Sequence, residues 1–314
     1  MIRVLRLLFL LALALWWLSP FAVLYADDLE PEARLCRRDG TARLVCRQRW
    51  VEEVGRTQIA HTLGSRRIVT FYGSPLGPGL GVLGNSAPEA MLKQLRAQAD
   101  VYRKIDPNTE VTTAFHMVVV VADAYPGDDE DYNHRLSHKV IREWVDWAAA
   151  EDVWVILDIQ PGRSDPLAEY DLLESFLYEP HVQLAIDPEF IVGADGVPGR
   201  ELGHIDAATI NLVQARLDRV AQTTGVTKVL MIHQFEDRMV VDKDQIDNYW
   251  LVEMVWDVDG FGTPGPKIFD YNQYRNERGF EKGGFKVFYR QDRPAMTPEQ
   301  VMALDPKPSI IVYQ

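Results

Sequence analysis

Short apolar runs rich in β-branched residues alternate along the chain with longer amphipathic stretches. Eight of these runs have the length of a strand, and their alternation with helical patterns predicts a parallel sheet with right-handed crossovers. Eight repeats favour closure into a (β/α)8 TIM barrel over an open doubly wound sheet. The predicted strands are Ile68–Tyr72, Thr113–Val121, Trp154–Ile159, Val182–Ile186, Lys228–Ile232, Leu251–Trp256, Phe285–Tyr289 and Ser309–Tyr313.

Amphipathic stretches between these strands predict the helices of the barrel. Asp206 has the character of an N-cap, and Gly225 follows the end of the same helix. The chain stops at the eighth strand, so we expect the final helix of the barrel to be missing. The clearest helical stretches are Pro88–Lys104, His134–Ala150, Asp206–Thr224 and Pro266–Arg278.

The first 26 residues differ in kind from the rest. Arg3 and Arg6 precede the uninterrupted apolar run Leu7–Leu18, and the small residue Ala26 precedes two acids. This is the layout of a secretory signal peptide, so residues 1–26 predict export, either secreted or to the cell envelope. An uncleaved anchor over residues 7–26 is the alternative, because about 20 apolar residues can span a membrane.

Residues 27–67 form a separate N-terminal segment before the barrel domain, 68–314. Cys36 and Cys46 flank the turn dipeptide Asp39-Gly40, and a hairpin there would bring the two thiols within bonding distance. An oxidising compartment would keep the disulfide bond. The segment itself is expected either to cover the gap left by the missing helix or to close the lower end of the barrel.

The chain is acidic, with a formal charge of -13, and removal of Arg3 and Arg6 with residues 1–26 would take it to -15. Strong acidity disfavours nucleic acid and anionic membrane surfaces as partners. It does not identify a ligand, and the oligomeric state stays open.

Four neighbouring strands, the third to the sixth, each end in two polar residues spaced by two. Side chains two apart share one face of a strand, and barrel enzymes carry their chemistry where the strands end. Four adjacent strands with matching spacing therefore predict a site in one quadrant of the barrel mouth. The pairs are Asp158 and Gln160, Asp187 and Glu189, Gln234 and Glu236, and Asp257 and Asp259.

Other polar and aromatic residues lie close to the same end of the barrel. Tyr72 ends the first strand, Trp256 and Phe261 flank the acids of the sixth, and either Tyr289 or Arg290 is expected to enter the mouth from the seventh. His233 precedes Gln234 and by strand parity points to the opposite face, so either His233 faces the helix layer or, with a local bulge, Phe235 does. The catalytic candidates are Glu189, Asp187, Asp158 and Asp257. The candidates for substrate binding are Tyr72, Gln160, Gln234, Glu236, Asp259, Arg290 and Trp256.

Several familiar motifs are missing or incomplete. No G-x-S-x-G is present, and the glycine-rich stretch Gly73–Gly84 lacks the Lys-Ser/Thr ending of a P-loop. The acidic run Asp128–Asp131 has no EF-hand spacing, which favours a solvated loop. His134 and His138 have helical spacing without H-E-x-x-H, so surface positions are expected.

Two short stretches resemble the chitinase-like glycoside hydrolases. Asp187-Pro188-Glu189 matches the end of their D-x-x-D-x-D-x-E motif, and Met254-Val255-Trp256-Asp257 is similar to their M-x-Y-D, with Trp in place of Tyr. The resemblance implies that Glu189 is the general acid and that Asp187 supports a substrate acetamido group acting as the nucleophile. As a whole the chain resembles a family of exported bacterial TIM barrels, which implies the fold and no activity.

Three functions stay open at the level of sequence. Carboxylates crowded in a partly buried mouth cannot all ionise, and a protonated acid beside an ionised one suits a glycoside hydrolase acting on polysaccharide or cell-envelope glycan, without a cofactor. The same oxygens suit Ca²⁺ or Mg²⁺ in a metal-dependent phosphodiesterase. A non-catalytic barrel that binds glycan or protein is the third.

Overall fold

The computed structural model of the protein describes residues 59–314. The signal segment and the pair Cys36 and Cys46 lie outside the described residues, so export and the disulfide bond stay predictions. Among the described residues, no helix is both long and apolar enough to cross a membrane.

Eight parallel strands form a closed barrel, as predicted. Each strand pairs in parallel with its neighbours in chain order, and β1 pairs with both β2 and β8, which closes the sheet. The strands are β1 Arg66–Gly73, β2 Glu110–Ala122, β3 Trp154–Ile159, β4 Val182–Ile186, β5 Lys228–Gln234, β6 Val252–Val258, β7 Lys282–Val287 and β8 Ile310–Tyr313. The bounds predicted for β3 and β4 are confirmed.

The prediction for β7 was placed too late in the chain. We expected Phe285–Tyr289, but the strand begins at Lys282 and includes Gly283 and Gly284. Glycine is depleted in strands, so the sequence pattern concealed the first half of β7. Here both glycines permit a close approach, Gly283 to the Tyr271 ring and Gly284 to Asp257.

Helices cover the outside of the barrel. Asp206 caps the fourth helix by accepting from Thr209 N at 2.7 Å, and Gly225 ends it in the left-handed conformation, as expected. Two 3-10 turns, Asp237–Met239 and Lys243–Gln245, replace the crossover helix between β5 and β6. The helices are α1 Pro88–Ile105, α2 His138–Ala150, α3 Pro166–Leu177, α4 Ala207–Thr224, α5 Pro264–Tyr274 and α6 Pro298–Val301.

The predicted helix from His134 begins four residues later. Ser137 is its N-cap and accepts from Val140 N at 3.3 Å. The preceding Asn133–Arg135 forms a short strand that pairs antiparallel with β2. His134 and His138 therefore do not share a helix face, and His134 instead pairs with Asp123 at 2.7 Å on the surface.

The described part of the N-terminal segment closes the lower end of the barrel. Thr62 N donates to Thr227 Oγ1 at 2.8 Å, and Leu63 N donates to Glu253 Oε1 at 3.1 Å, where β5 and β6 begin. Leu63 is buried and packs with the apolar residues inside the barrel, such as Ile68 and Val229. The rest of the segment lies outside the described residues, so its role stays a prediction.

Candidate functional site

A layer of polar side chains replaces the apolar core at the upper end of the barrel interior. On β5 the inward residues are Val229, Met231 and then His233, and on β6 Val255 is followed by Asp257. Since alternate residues of a strand share a face, the polar residue that follows each apolar one continues the same inner face. The buried polar members of this layer are His116 on β2, Asp158 on β3, Asp187 after β4, His233 on β5, Asp257 on β6 and Lys286 on β7.

His233 lies at the centre of the layer. Its Nε2 is 3.2 Å from Asp158 Oδ2, and its Nδ1 is 3.1 Å from both Asp257 Oδ2 and Asp259 Oδ2. Burial would lower the pKa of His233, but the attraction of Asp158 and the short contacts with all three carboxylates outweigh it, so the pKa is raised well above the usual value. The imidazole is thus surrounded by carboxylates.

Asp158 joins His233 to the second histidine of the layer. Asp158 Oδ2 is 3.3 Å from His116 Nε2, and both side chains are fully buried. Burial would raise the pKa of Asp158, but the charge of His233 and the contacts with both histidines hold it well below the usual value. Burial lowers the pKa of His116, and the contact with Asp158 only partly opposes this effect. Asp158 therefore lies as a carboxylate between two imidazoles whose pKa values are shifted in opposite directions.

Lys286 and Asp259 form a nearly buried ion pair at the mouth. Lys286 Nζ lies 2.9 Å from Asp259 Oδ1 and 3.0 Å from Oδ2, and the exposed fractions are 2% for Lys286 and 7% for Asp259. Burial acts against both charges, but the mutual attraction outweighs it, which lowers the pKa of Asp259 and raises that of Lys286. Asp259 is therefore ionised at neutral pH.

Tyr72 covers this layer from β1. Its ring centre is 4.9 Å from that of His116 and 6.0 Å from that of His233, and Lys286 Nζ lies 3.8 Å from it. Gln160 Nε2 donates to the Tyr72 hydroxyl at 3.1 Å, while Gln160 Oε1 accepts from Ala122 N at 3.3 Å. These contacts place Tyr72 and Gln160 in the mouth, where the sequence put them.

Glu189 lies in a 3-10 turn directly above the end of β4. Asp187 Oδ1 accepts from Glu189 N at 3.2 Å, and Pro188 begins the turn. The loop returns through Gly203, whose N–H donates to Glu189 O at 2.8 Å. A Cβ at Gly203 would lie 2.5 Å from Pro188 O and 2.6 Å from Ile191 N, so the close approach of this loop requires glycine.

The pKa values of both carboxyl groups of this turn are raised. Burial, and then the charges of Asp259, Asp158 and Glu189, raise the pKa of Asp187 to about 8 against the opposing charge of His233. Burial and Asp259 also raise the pKa of Glu189. Glu189 is only half-buried, whereas Asp187 is buried. The mouth therefore holds two carboxyl groups of raised pKa close to the ionised carboxylate of Asp259.

Seven of the residues predicted for the site come together at the mouth, and four do not. The seven are Tyr72, Asp158, Gln160, Asp187, Glu189, Asp257 and Asp259. Gln234 and Glu236 are separate from them: Gln234 Nε2 donates to Glu236 O at 3.3 Å, and Glu236 pairs with Arg238 at 2.8 Å in a groove against α5. Gln234 was predicted to face into the barrel from β5, but this was wrong, and His233 faces inward instead. The run Val229–Ile232 is apolar on both faces, so periodicity could not assign the inner one.

Trp256 and Arg290 also lie away from the mouth. Trp256 alternates with Asp257 on β6 and so faces the helices, where its Nε1 donates to Gly279 O at 3.0 Å. Arg290 is exposed beyond the end of β7, and Lys286 is the cation that this strand contributes. Tyr289 stacks on Tyr313 with ring centres 5.1 Å apart. Because β7 was predicted to begin too late, Arg290 was expected at the mouth in place of Lys286.

His116 and Lys286 belong to the site but were not predicted from the sequence. His116 is followed in β2 by an apolar run, and Lys286 follows the glycine-rich start of β7. Ala114, His116 and Val118 share the inner face of β2 until the register shifts between Val118 and Val120. Charged or polar residues inside barrel strands were the available signal, because burial of such groups is costly unless they are paired.

The acidic run after β2 is structural. Arg135 Nη1 lies 2.9 Å from Asp129 Oδ2, and Arg135 Nη2 lies 3.0 Å from Asp131 Oδ2. The same guanidinium contacts the buried Glu169 of α3. Two of the four acids, Asp129 and Asp131, therefore connect the loop to the barrel through Arg135.

No family model matches the chain, and no curated protein matches it. Among solved structures, a mutant form of Thermotoga maritima Cel5A with a cellobiose substrate is similar over 79% of this chain and 88% of its own, with 9% identity and a TM-score of 0.44. A bacterial fucosidase with a triazole inhibitor is similar over 88% of this chain and 68% of its own, with 12% identity and a TM-score of 0.30. A bacterial fucosidase with a monovalent iminocyclitol inhibitor is similar over 79% and 67%, with 12% identity and a TM-score of 0.32. The (β/α)8 barrel itself is established by the chain's own strand pairing.

Proposed function

We propose that this barrel is a glycoside hydrolase that cleaves a polysaccharide at its mouth, with Glu189 as the general acid. One observation carries the proposal: a half-exposed carboxyl group, Glu189, lies above a buried layer that holds the ionised carboxylate of Asp259. Cleavage of a glycosidic bond needs a proton donor for the leaving oxygen and a carboxylate to oppose the positive charge that develops on the sugar.

The roles follow from accessibility and charge. Glu189 is accessible, and the direction of its pKa shift favours the protonated acid. Asp259 stays ionised beside Lys286, and we assign it the stabilisation of the oxocarbenium-like transition state. Asp187 accepts from Glu189 N and positions the acid. Asp158 and Asp257 are fully buried, so we assign them to the positioning of His233 and not to contact with substrate.

The loops around the mouth support a sugar as the ligand. Phe261 follows the acids of β6, is 70% exposed, and packs edge-on against Phe288 with ring centres 5.9 Å apart. Tyr125, in the loop after β2, is 79% exposed. Aromatic faces pack well against the apolar faces of sugar rings. The charge of -13 disfavours a polyanionic glycan, so a neutral or basic polysaccharide is the class we propose.

The proposal includes export by the N-terminal 26 residues, which would bring the enzyme to envelope or extracellular glycans. The basic start and the apolar run Leu7–Leu18 support this step. N-terminal sequencing of protein recovered from outside the cytoplasm checks it. Recovery of the chain only in the cytoplasm would contradict it.

Release of reducing ends from neutral polysaccharides tests the role of Glu189. We expect Glu189→Gln to lower kcat by about 10²- to 10⁴-fold, because general acid catalysis contributes that much. The matched control is Asp195→Asn, an exposed acid on the same loop, which should stay within about twofold of the wild type. Unchanged turnover in Glu189→Gln would refute the acid role. Binding of a glycan without turnover by the wild type would identify a binding protein instead.

A further inference from the structure

Three nitrogen and oxygen atoms converge beneath the mouth from three different strands. Asp158 Oδ2 lies 3.3 Å from His116 Nε2 and 3.2 Å from His233 Nε2, and all three ligand atoms lie within 4.8 Å of one another. The three side chains are fully buried on β2, β3 and β5. They form a compact set of two imidazoles and one carboxylate.

These short contacts do not have the geometry of hydrogen bonds. Within residues 59–314, neither ring nitrogen of His116 or His233 and neither oxygen of Asp158 has a hydrogen-bond partner. Buried polar atoms are nearly always paired, so a set of several unpaired ones calls for a physical cause. Ligands of one cation have this arrangement, because bonds of about 2.0–2.2 Å around a metal place neighbouring donor atoms roughly 3–3.5 Å apart while their lone pairs converge on the ion.

Carboxylates also lie close to the second ring nitrogen of His233. Its second nitrogen, Nδ1, is 3.1 Å from Asp257 Oδ2 and 3.1 Å from Asp259 Oδ2. Histidines that bind a metal usually direct the other ring nitrogen toward a carboxylate or carbonyl, which fixes the ring. Asp259 is in turn held by Lys286. Asp257 and Asp259 thus support the His233 ring on its Nδ1 side, and Asp259 is already paired with the Lys286 ammonium group.

We propose that His116 Nε2, Asp158 Oδ2 and His233 Nε2 bind one divalent transition-metal cation of the Zn²⁺ class. Two imidazoles and one carboxylate suit Zn²⁺, Fe²⁺ or Co²⁺, whereas Ca²⁺ and Mg²⁺ favour sets made of oxygen alone. The carboxylates in the sequence suggested Ca²⁺ or Mg²⁺, whereas this set of two imidazoles and one carboxylate suggests a transition metal. The cation would connect β2, β3 and β5 at the level just below the mouth.

Metal content of the full chain tests this site without any reference to activity, so its outcome is separate from that of the proposed hydrolysis. The protein is freed of affinity tag, stripped with EDTA, reloaded with Zn²⁺ or Co²⁺ and dialysed before elemental analysis. We expect one metal per chain and visible absorption bands from the Co²⁺ form. Less than about 0.1 metal per chain, or a Co²⁺ spectrum identical to that of the hydrated ion, would overturn the proposal.

Variants then locate the ligands. We expect His116→Ala and Asp158→Asn each to lower the bound metal at least tenfold under the same dialysis. His134→Ala is the matched control, because His134 is an exposed histidine that pairs with Asp123 away from the layer, and it should keep one metal per chain. Full binding by a folded His116→Ala variant would contradict the assignment. If a variant does not fold by circular dichroism, the wild-type stoichiometry and Co²⁺ spectrum decide the question.

Discussion

The Lys286 ammonium group lies 2.9 Å from Asp259 Oδ1 and 3.8 Å from the centre of the Tyr72 ring. One cation from β7 therefore neutralises a carboxylate of β6 and also contacts the aromatic ring that β1 places over the polar layer. A buried charge is tolerated only when it is paired, so this ion pair links the stability of the mouth to its chemistry.

Removal of the ammonium group should destabilise the protein strongly. We expect Lys286→Met to lower the free energy of unfolding by about 3–5 kcal/mol, because Asp259 would remain as a buried carboxylate without its cation. Urea unfolding measures the change. The double variant Lys286→Met/Asp259→Asn should recover part of the loss, since it removes both charges. A double variant that is less stable by the sum of the two single effects would argue against the pairing.

The loop that carries Glu189 should depend on the glycine at 203. In Gly203→Ala, the new Cβ would approach Pro188 O and Ile191 N, which forces the turn of Glu189 to shift. We expect a loss of about 1–3 kcal/mol in the free energy of unfolding and, under the proposed function, a lower kcat. Gly193→Ala is the control, because a Cβ there meets no atom within 4 Å. Equal stability and activity of the two variants would contradict this account of the loop.

Lys228 should give the stability a characteristic dependence on pH. Lys228 is the first residue of β5, and its side chain is buried. Its Nζ donates to Glu179 O at 2.8 Å and to Val182 O at 3.2 Å. Burial lowers the pKa of Lys228 to about 7, against the opposing charge of Glu179. In the unfolded chain the pKa is about 10.4, so between the two values the unfolded state binds more protons. The free energy of unfolding should therefore rise with pH across this window, by roughly 1.4 kcal/mol per pH unit from this group.

Urea unfolding of wild type and Lys228→Met at several pH values from 5 to 10 isolates that contribution. Other titrating groups affect both proteins equally, so the difference between their curves reports Lys228. We expect the wild type to gain stability relative to the variant as pH rises, with no relative change below pH 7. Parallel curves throughout the range would show that the amine titrates at its ordinary pKa.

The barrel could be predicted from the sequence because its signal is repeated and redundant. Apolar runs such as Trp154–Ile159 and Val182–Ile186 are bounded by clear turns, and their ends agree with the structure. The start of β7 was harder to predict. Its first half contains two glycines that are present for close approach to Tyr271 and Asp257, a reason that only tertiary structure reveals.

The site was predictable where strand parity could be determined. Asp158, Asp187 and Asp257 each follow an apolar residue two positions earlier on an inward face, and they meet in the structure. His233 and Gln234 are adjacent polar residues after an apolar run without alternation, so the choice between them depended on the twist and register of the closed sheet. The inward position of His116 was hidden for a similar reason. The register of β2 shifts between Val118 and Val120, so alternation counted back from the end of the strand gives the wrong face at His116.

The polar layer also has a consequence for the order of assembly. Its partners are far apart in the chain, with His116 on β2 and Lys286 on β7, and pairing between such distant residues forms slowly. A partial barrel without β7 would leave Asp259 lacking its cation, and one without β2 would leave Asp158 with a single histidine. A barrel without β7 therefore carries unneutralised charge at its upper edge, which disfavours such an intermediate and favours closure of the ring as a late step.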